Sequence, residues 1–390
     1  MAAIDEAYVD PSSGAKRRRR KFCAVVAITQ HGTAIARQIL EALPDVDVYY
    51  PAKFGRGDED QLGIHLFPGS VLTEAPKLWH AYDGIVGIFS LGAMVRIIAP
   101  LLEDKKTDPG IVVIDDRAQH VISVLSGHLG GANQLTRQIA TVLGADPVLT
   151  TASDVQGTLA VDLLGREFGW EIANFARVTE VSAAVVNGER VHIVQEAGER
   201  TWWPADRPYP DNLKVFPDTA SALVDSFQAA LVITPRLLTP SEHERLLSKG
   251  VLYRPKVLVV GIGCNRGTAA EEIEEAINRM LENHQLSIRS IRNVATIELK
   301  KDEPGLLDVC HRHGWPLHTY TAEELNRIAS PHPSDVVFRY TGAYGVAEPA
   351  ARLSSGAQTW LVEKEKWGNV TLSLCFVAGL GLPNEKGDRA

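Results

Sequence analysis

The sequence predicts an α/β protein: two α/β domains, N-terminal and C-terminal, joined by a smaller middle α/β region. Three observations predict it. Short apolar runs alternate with stretches of helical period, the pattern of a sheet with helices on its faces. That pattern fades after residue 150 and restarts at Lys256. The 390 residues also exceed the roughly 100–200 expected of one domain. The expected divisions are a basic tail over 1–21, then domains over 22–150, 151–252 and 253–390.

In the first domain, Cys23 to Ile28 is a short apolar run suited to a buried strand. Thr33 to Leu43 has helical spacing (Ile35, Ile39, Leu40, Leu43) and stops before Pro44. Val46 to Tyr50 reads as a second strand and Gly84 to Phe89 as a third. After a turn at Ser90-Leu91-Gly92, Ala93 to Leu102 reads as a helix that tolerates Pro100 only near its end. Ile111 to Asp116 and Val121 to Leu125 have hairpin spacing. Asn133 to Leu143 is the next helix and Pro147 to Thr150 the next strand.

The middle region is less regular. Leu159 to Phe168 is helical in period, Arg190 to Val194 alternates like a half-buried strand, and Ala230 to Ile233 is a further strand. Glu199 to Asp211, rich in Trp, Pro and Asp, reads as loop, and Tyr253-Arg254-Pro255 as a linker. In the last domain Lys256 to Ile262 is a strand. Thr268 to Glu271 and Thr321 to Glu324 have capping-box spacing, in which the Thr oxygen accepts a backbone N–H while the Glu reaches back. Pro316 to Tyr320, Thr359 to Val362 and Asn369 to Leu374 complete the strands.

Lys and Arg total 40 against 48 Asp and Glu, a net charge of −8, which argues against a nucleic-acid binder. Residues 1–21 run the other way, with six bases (Lys16 to Lys21) and three acids. They read either as a tether for an anionic partner or, more simply, as a disordered, solvated tail. No stretch reaches the ~18 apolar residues of a membrane helix. Cys23, Cys264, Cys310 and Cys375 are widely spread without a C-x-x-C pair, as expected of reduced thiols in a cytoplasmic protein.

Chemistry concentrates in Leu125 to Asn133, a strand-to-helix connection holding Gly127, Gly130 and Gly131. Glycines permit close backbone approach, and free N–H groups at a helix start attract anions. His128, inside this turn, can exchange a proton near neutral pH; Ser126 and Asn133 add polar groups. A tight turn with a structural histidine is the competing reading. The turn at Ser90 to Ala93, with Gly92, and the exit Thr150-Thr151-Ala152-Ser153-Asp154 also follow strands, so all three are expected to converge at carboxyl ends. Gly261 to Gly267 fails the dinucleotide fingerprint, because Arg266 fills the slot of the third glycine. It reads instead as an anion-friendly turn with Arg266 as donor. A Walker lysine and a G-x-S-x-G elbow are both missing, and no His/Cys/Glu spacing suits zinc. Asp302 and Glu303 read as a solvated charge cluster, and His311 with His313 as a surface pair.

Taken together, these segments resemble the cobalt-precorrin-5A hydrolase family of anaerobic cobalamin biosynthesis. The resemblance runs over roughly 84–375. It rests on Ile97 to Leu102 with Asp104 to Pro109, Ser126 to Asn133, Thr150 to Asp154, Gly261 to Thr268, Ala295 to Lys300, Tyr320 to Leu325, Gly345 to Glu348 and Gly368 to Thr371. Ala347 departs from it, standing where many members carry a cysteine, and so does the basic N-terminal extension. The resemblance implies an N-terminal hydrolase-type domain, a variable middle and a C-terminal α/β domain. It implies opening of the ring-A δ-lactone of a cobalt corrinoid with loss of the C20 unit as acetaldehyde. On that basis His128 and Ser126 are the expected catalytic residues. Gly92, Gly127, Gly130, Gly131, Asn133, Thr150, Thr151, Asp154 and Arg266 are the expected contacts to the carboxylate-rich substrate. No cofactor or protein-bound metal is expected, since cobalt arrives in the substrate. The expected partners are that corrinoid and neighbouring enzymes of the corrin pathway, with no nucleic acid and no membrane. A non-catalytic corrinoid carrier is the alternative.

Overall fold

The computed structural model describes residues 7–9, 16–18 and 20–382. Most of the tail expected over 1–21 lies outside the described residues; within it, Ala7–Val9 and Lys16–Arg18 pair as two short strands. The chain divides between Leu163 and Leu164 into two compact units, past the expected 150/151 division.

The first unit is built on seven strands: β1 (Lys21–Ala27), β2 (Val46–Pro51), β3 (His65–Phe67), β4 (Tyr82–Ile88), β5 (Gly110–Ile114), β6 (His120–Leu125) and β7 (Asp146–Val148). Their order is β3-β2-β1-β4-β5-β6-β7. Both faces are covered, which is why the strands read as continuous apolar runs. Cys23, Val25 and Ala27 pack with Ile39 of helix Gln30–Ala42 and Ile139 of helix Ala132–Leu143. Ala24 and Val26 pack with Trp79 of helix Val71–Ala81 and Ile97 of helix Leu91–Ile98. Each large side chain buried this way stabilises the unit by about 1.5–3 kcal/mol. Helix Val71–Ala81 escapes the sequence reading because Pro76 sits inside it.

One connection decides where the functional loops lie. All neighbouring strands are parallel except β5 and β6. The predicted hairpin reverses the chain there, with the Asp115 carboxylate accepting the N–H groups of Arg117 (2.9 Å) and His120 (2.6 Å). The exits of β6 and of its parallel neighbour β7 therefore share one end of the sheet, and the exit of β4 lies at the other. Residues 126–133 and 150–154 converge; the Gly92 turn does not join them, contrary to expectation.

The second unit carries two five-stranded sheets. In the first, β8 (Glu171–Ile172), β9 (Val191–Gln195), β10 (Leu213–Phe216), β11 (Ala229–Ile233) and β12 (Gly250–Arg254) follow the order β8-β12-β11-β9-β10. Three expectations are corrected here. Leu159 to Phe168 is not an α-helix but turns followed by the 3-10 turn Arg166–Phe168, because Gly165 at φ 73° breaks it. Strand β9 is wholly buried; its apparent alternation comes from His192, whose Nδ1 lies 3.0 Å from the Ala222 carbonyl, between Phe216 and Phe227. Tyr253 and Arg254 belong to buried β12 rather than a linker, with Arg254 donating to the carbonyls of Thr234 and Arg236.

The second sheet holds β13 (Leu258–Cys264), β14 (Ile291–Ile297), β15 (Leu317–Tyr320), β16 (Val362–Trp367) and β17 (Val370–Phe376), in the order β15-β14-β13-β17-β16. Helix Ala347–Ser355 lies so close to β13 that a Cβ at Gly261 would meet the Ala347 carbonyl at 1.9 Å. The Thr321 capping box forms, but the one at Thr268 does not: Ala269 caps helix Ala270–Asn283, and the Thr268 hydroxyl donates to the Asn265 carbonyl. Of Thr359 to Val362 only Val362 joins a strand, as the first residue of β16. None of the four cysteines is in a disulfide, and Cys23, Cys310 and Cys375 are buried. Among the described residues no helix is long and apolar enough to cross a membrane.

Candidate functional site

The loop after β6 is closed by its own backbone. Ser126 (φ 53°) and Gly131 (φ 78°) turn the chain. The N–H of Gly131 donates to the His128 carbonyl, that of Ala132 to Ser126 and that of Asn133 to Gly127. The Gly131 amide, expected to face a ligand, thus serves the loop itself. A Cβ on Gly130 would lie 2.4 Å from that of Ser126, and one on Gly110 would lie 2.4 Å from the Gly130 carbonyl. Gly110→Ala is therefore expected to push the loop from β5 and cost about 1–3 kcal/mol, measured by urea unfolding. An unchanged midpoint would show that the loop yields freely.

Three segments meet at His128. Its Nδ1 lies 2.9 Å from Asp162 Oδ1, and its Nε2 lies 3.1 Å from both Asp154 Oδ2 and Ser153 Oγ. Asn133 and Arg137, one turn apart on helix Ala132–Leu143, fix Asp154 from the other side. Asn133 Nδ2 donates to Asp154 Oδ2 at 2.7 Å and to Thr151 Oγ1 at 3.0 Å, and Arg137 Nη2 reaches Asp154 Oδ1 at 2.5 Å. Ser123 donates to Asn133 Oδ1 at 2.7 Å and so sets the amide's orientation.

The electrostatics favour an imidazolium. The hydrogen bond that the Asp162 carboxylate accepts from the ring raises the His128 pKa; burial opposes it, and Asp154 adds to it. Burial alone would raise the Asp154 carboxyl, but Arg137, His128 and Asn133 outweigh it and hold it below its ordinary range. The His128 side chain is 15% exposed, so these charges act in a partly dry setting.

Ser153, Asp162, Arg137 and Ser123 are the participants that sequence reasoning missed. Ser126, expected as catalytic, does not touch the imidazole by any hydrogen bond; its Oγ is buried without a partner. Thr150 lies exposed beside the cluster. Arg266 belongs to the second unit, where it donates to Asp302 at 2.7 Å and to the Leu299 carbonyl at 2.9 Å. It lines a cleft of about 470 Å³ with Glu298, Lys301, Asp302 and Thr321. The turn's anion is the chain's own: the Gly267 N–H donates to Glu303, which is fully buried rather than solvated. Among the described residues, His332, Glu348 and Glu363 bring three possible metal donors within 4.8 Å of one another. The buried Glu348 already accepts bonds from Ser330, His332 and the Lys364 N–H.

Profiles described as Cobalamin synthesis G N-terminal, Cobalamin biosynthesis central region and Cobalamin synthesis G C-terminus match residues 74–154, 159–255 and 258–375. The chain is 54% identical over 354 residues to a cobalt-precorrin-5A hydrolase from Priestia megaterium, covering 91% of this chain and 94% of that one. It is 33% identical over 365 residues to a cobalt-precorrin-5A hydrolase from Salmonella typhimurium, covering 90% and 96%. A solved cobalamin biosynthesis protein G homologue from Sulfolobus solfataricus is 20% identical, with a TM-score of 0.36 over 92% of this chain and 97% of that one.

Proposed function

The chain belongs to the cobalt-precorrin-5A hydrolase family and hydrolyses cobalt-precorrin-5A; we propose that His128 moves the protons of that reaction. Water opens the ring-A δ-lactone, the C20 unit departs as acetaldehyde, and cobalt-precorrin-5B remains. Cobalt travels with the substrate. The observation that carries this reading is the grip on the imidazole: Asp162 on Nδ1, with Asp154 and Ser153 at Nε2. An ester is opened by a nucleophile stripped of its proton, and the proton must then reach the departing alkoxide. An imidazole whose charged form is favoured by two carboxylates does both. The buried Ser126 hydroxyl is the donor to the lactone carbonyl. The macrocycle's carboxylates meet the exposed Thr150, the glycine turn at Gly127 and Gly130, and the half-exposed Arg137.

Purified protein incubated anaerobically with cobalt-precorrin-5A is expected to release one acetaldehyde per substrate. Binding without acetaldehyde would make the chain a carrier of the intermediate. The pH profile tests the proton assignment. Only neutral His128 can accept a proton, and its pKa is raised. The acid limb of kcat/KM is therefore expected above the ordinary histidine value of about 6.5. Asp154→Asn removes one carboxylate and should move that limb to lower pH. A limb that stays in place in the variant would show that another group titrates.

A further inference from the structure

We infer that Ser153 is the nucleophile of the lactone opening, and that the reaction passes through an ester between Ser153 and the acyl group of the ring-A lactone. This rests on the reading of His128 as the proton carrier. Three groups stand in series: Asp162 Oδ1 at 2.9 Å from Nδ1, and Nε2 at 3.1 Å from Ser153 Oγ. A carboxylate orients an imidazole, and the imidazole faces a hydroxyl, which is the arrangement that activates a serine. The bond broken is an ester bond, the bond such a serine attacks.

The local structure fixes the hydroxyl. Ser153 occupies the second position of the short helix Ala152–Gln156, directly after the Thr151 cap. Its carbonyl accepts the N–H of Thr158 at 2.9 Å, and Asn133 ties down Thr151. The residue is 7% exposed, so bulk water has little access to the attacking oxygen. Ser126 lacks this geometry, since its Oγ has no hydrogen-bond partner.

Asp154 gives the site a feature that a simple relay lacks. Its carboxylate shares Nε2 with Ser153 and is held by Arg137 and Asn133. With neutral imidazole, Asp162 accepts the Nδ1–H and Nε2 accepts the Ser153 proton. Once that proton has moved, the Nε2–H turns to Asp154, and the cation lies between two carboxylates. Asp154 thus strengthens the state that follows proton transfer, where stabilisation raises the rate.

The steps balance. Ser153 Oγ bonds to the lactone carbonyl carbon and its proton passes to Nε2. The ring C–O bond breaks, and the alkoxide takes that proton. Water then attacks the Ser153 ester, giving its proton to Nε2, and Ser153 leaves with it. The net change is addition of one water to the lactone. In the freed alcohol the C20 hydroxyl gives its proton to Nε2 and the bond joining C20 to the macrocycle breaks: the C=O of acetaldehyde forms, the electron pair of the broken bond stays on the macrocycle, and the macrocycle takes up the proton.

The test uses the full chain with cobalt-precorrin-5A and, separately, a fluorophosphonate probe for activated serines. Ser153→Ala is expected to lower kcat by about 10³-fold or more while leaving KM within a few-fold. The probe should label the Ser153 peptide of the wild type, found by mass spectrometry, and fail to label His128→Ala. Ser153→Ala activity within threefold of wild type would overturn the proposal, as would wild-type protein that leaves Ser153 unlabelled. Corrinoid binding, read from the visible spectrum, confirms that Ser153→Ala is folded. Should Ser153→Ala remain active while His128→Ala is dead, water is the direct nucleophile: the covalent step fails and the proton-carrier reading stands. Should His128→Ala be fully active, the proton-carrier reading itself fails.

Discussion

Replacing His128 with alanine is expected to lower turnover of cobalt-precorrin-5A by about 10²–10⁴-fold, read as acetaldehyde released per minute. The size follows from what the side chain does. Asp154 cannot stand in for it near neutrality, because Arg137, His128 and Asn133 outweigh burial and hold its carboxyl ionised. Truncation also leaves two carboxylates facing each other across the vacated ring. The stability effect has a defined sign. Because the folded pKa of His128 is raised, its charge stabilises the fold fully below the ordinary histidine value, and this contribution disappears as pH rises through the raised one. The variant should therefore lose more stability at pH 5 than at pH 9, in urea melts at the two pH values. A turnover loss that instead tracked the stability loss, vanishing at pH 9, would show His128 to be structural.

The parts of this site that the sequence made legible are those carried by one continuous segment. Ser126 to Asn133 stands out because glycines, a histidine and a helix start coincide, and Thr150 to Asp154 because it leaves a strand. The missing partners lie elsewhere in the chain. Asp162 sits 34 residues from His128, in a stretch whose apolar spacing imitated a helix until Gly165 ended it. Ser153 lay inside a quoted motif, but nothing in one-dimensional spacing says which of its hydroxyls faces an imidazole. The misplaced Gly92 has a different cause. The hairpin at Asp115 was read correctly, yet its consequence, that β6 and β7 run against β4, comes from the pairing. In the second unit, buried charge misled in the same way. Glu303 looked solvated because its backbone partner, the Gly267 N–H, lies 36 residues away and meets it only when two loops are brought together.

Asp162→Asn is expected to lower kcat by about 10³–10⁴-fold with the fold intact, a loss of roughly 4–5.5 kcal/mol of transition-state stabilisation. The substitution keeps the size of the side chain and a hydrogen bond at 2.9 Å, so packing alone predicts little change. What changes is the tautomer. A carboxylate can only accept, and Asp162, at 2.9 Å the nearer of the two carboxylates facing the ring, holds the proton on Nδ1 and leaves the Nε2 lone pair facing Ser153. An amide can donate its own N–H to Nδ1, and the proton then moves to Nε2, where Asp154 is ready to accept it. In that state the ring is neutral yet points a donor at the hydroxyl it should deprotonate. The same exchange removes a negative charge, so the His128 pKa falls and the acid limb of kcat/KM shifts to lower pH even as its height collapses. Both changes are needed. A lowered plateau with an unmoved limb would mean that Asp162 does not face the titrating imidazole. A moved limb at full height would mean that the charge, and not the tautomer, is its whole contribution. Nitrogen chemical shifts of His128 in the variant, recorded above the new pKa, should report protonation at Nε2 where the wild type carries it at Nδ1.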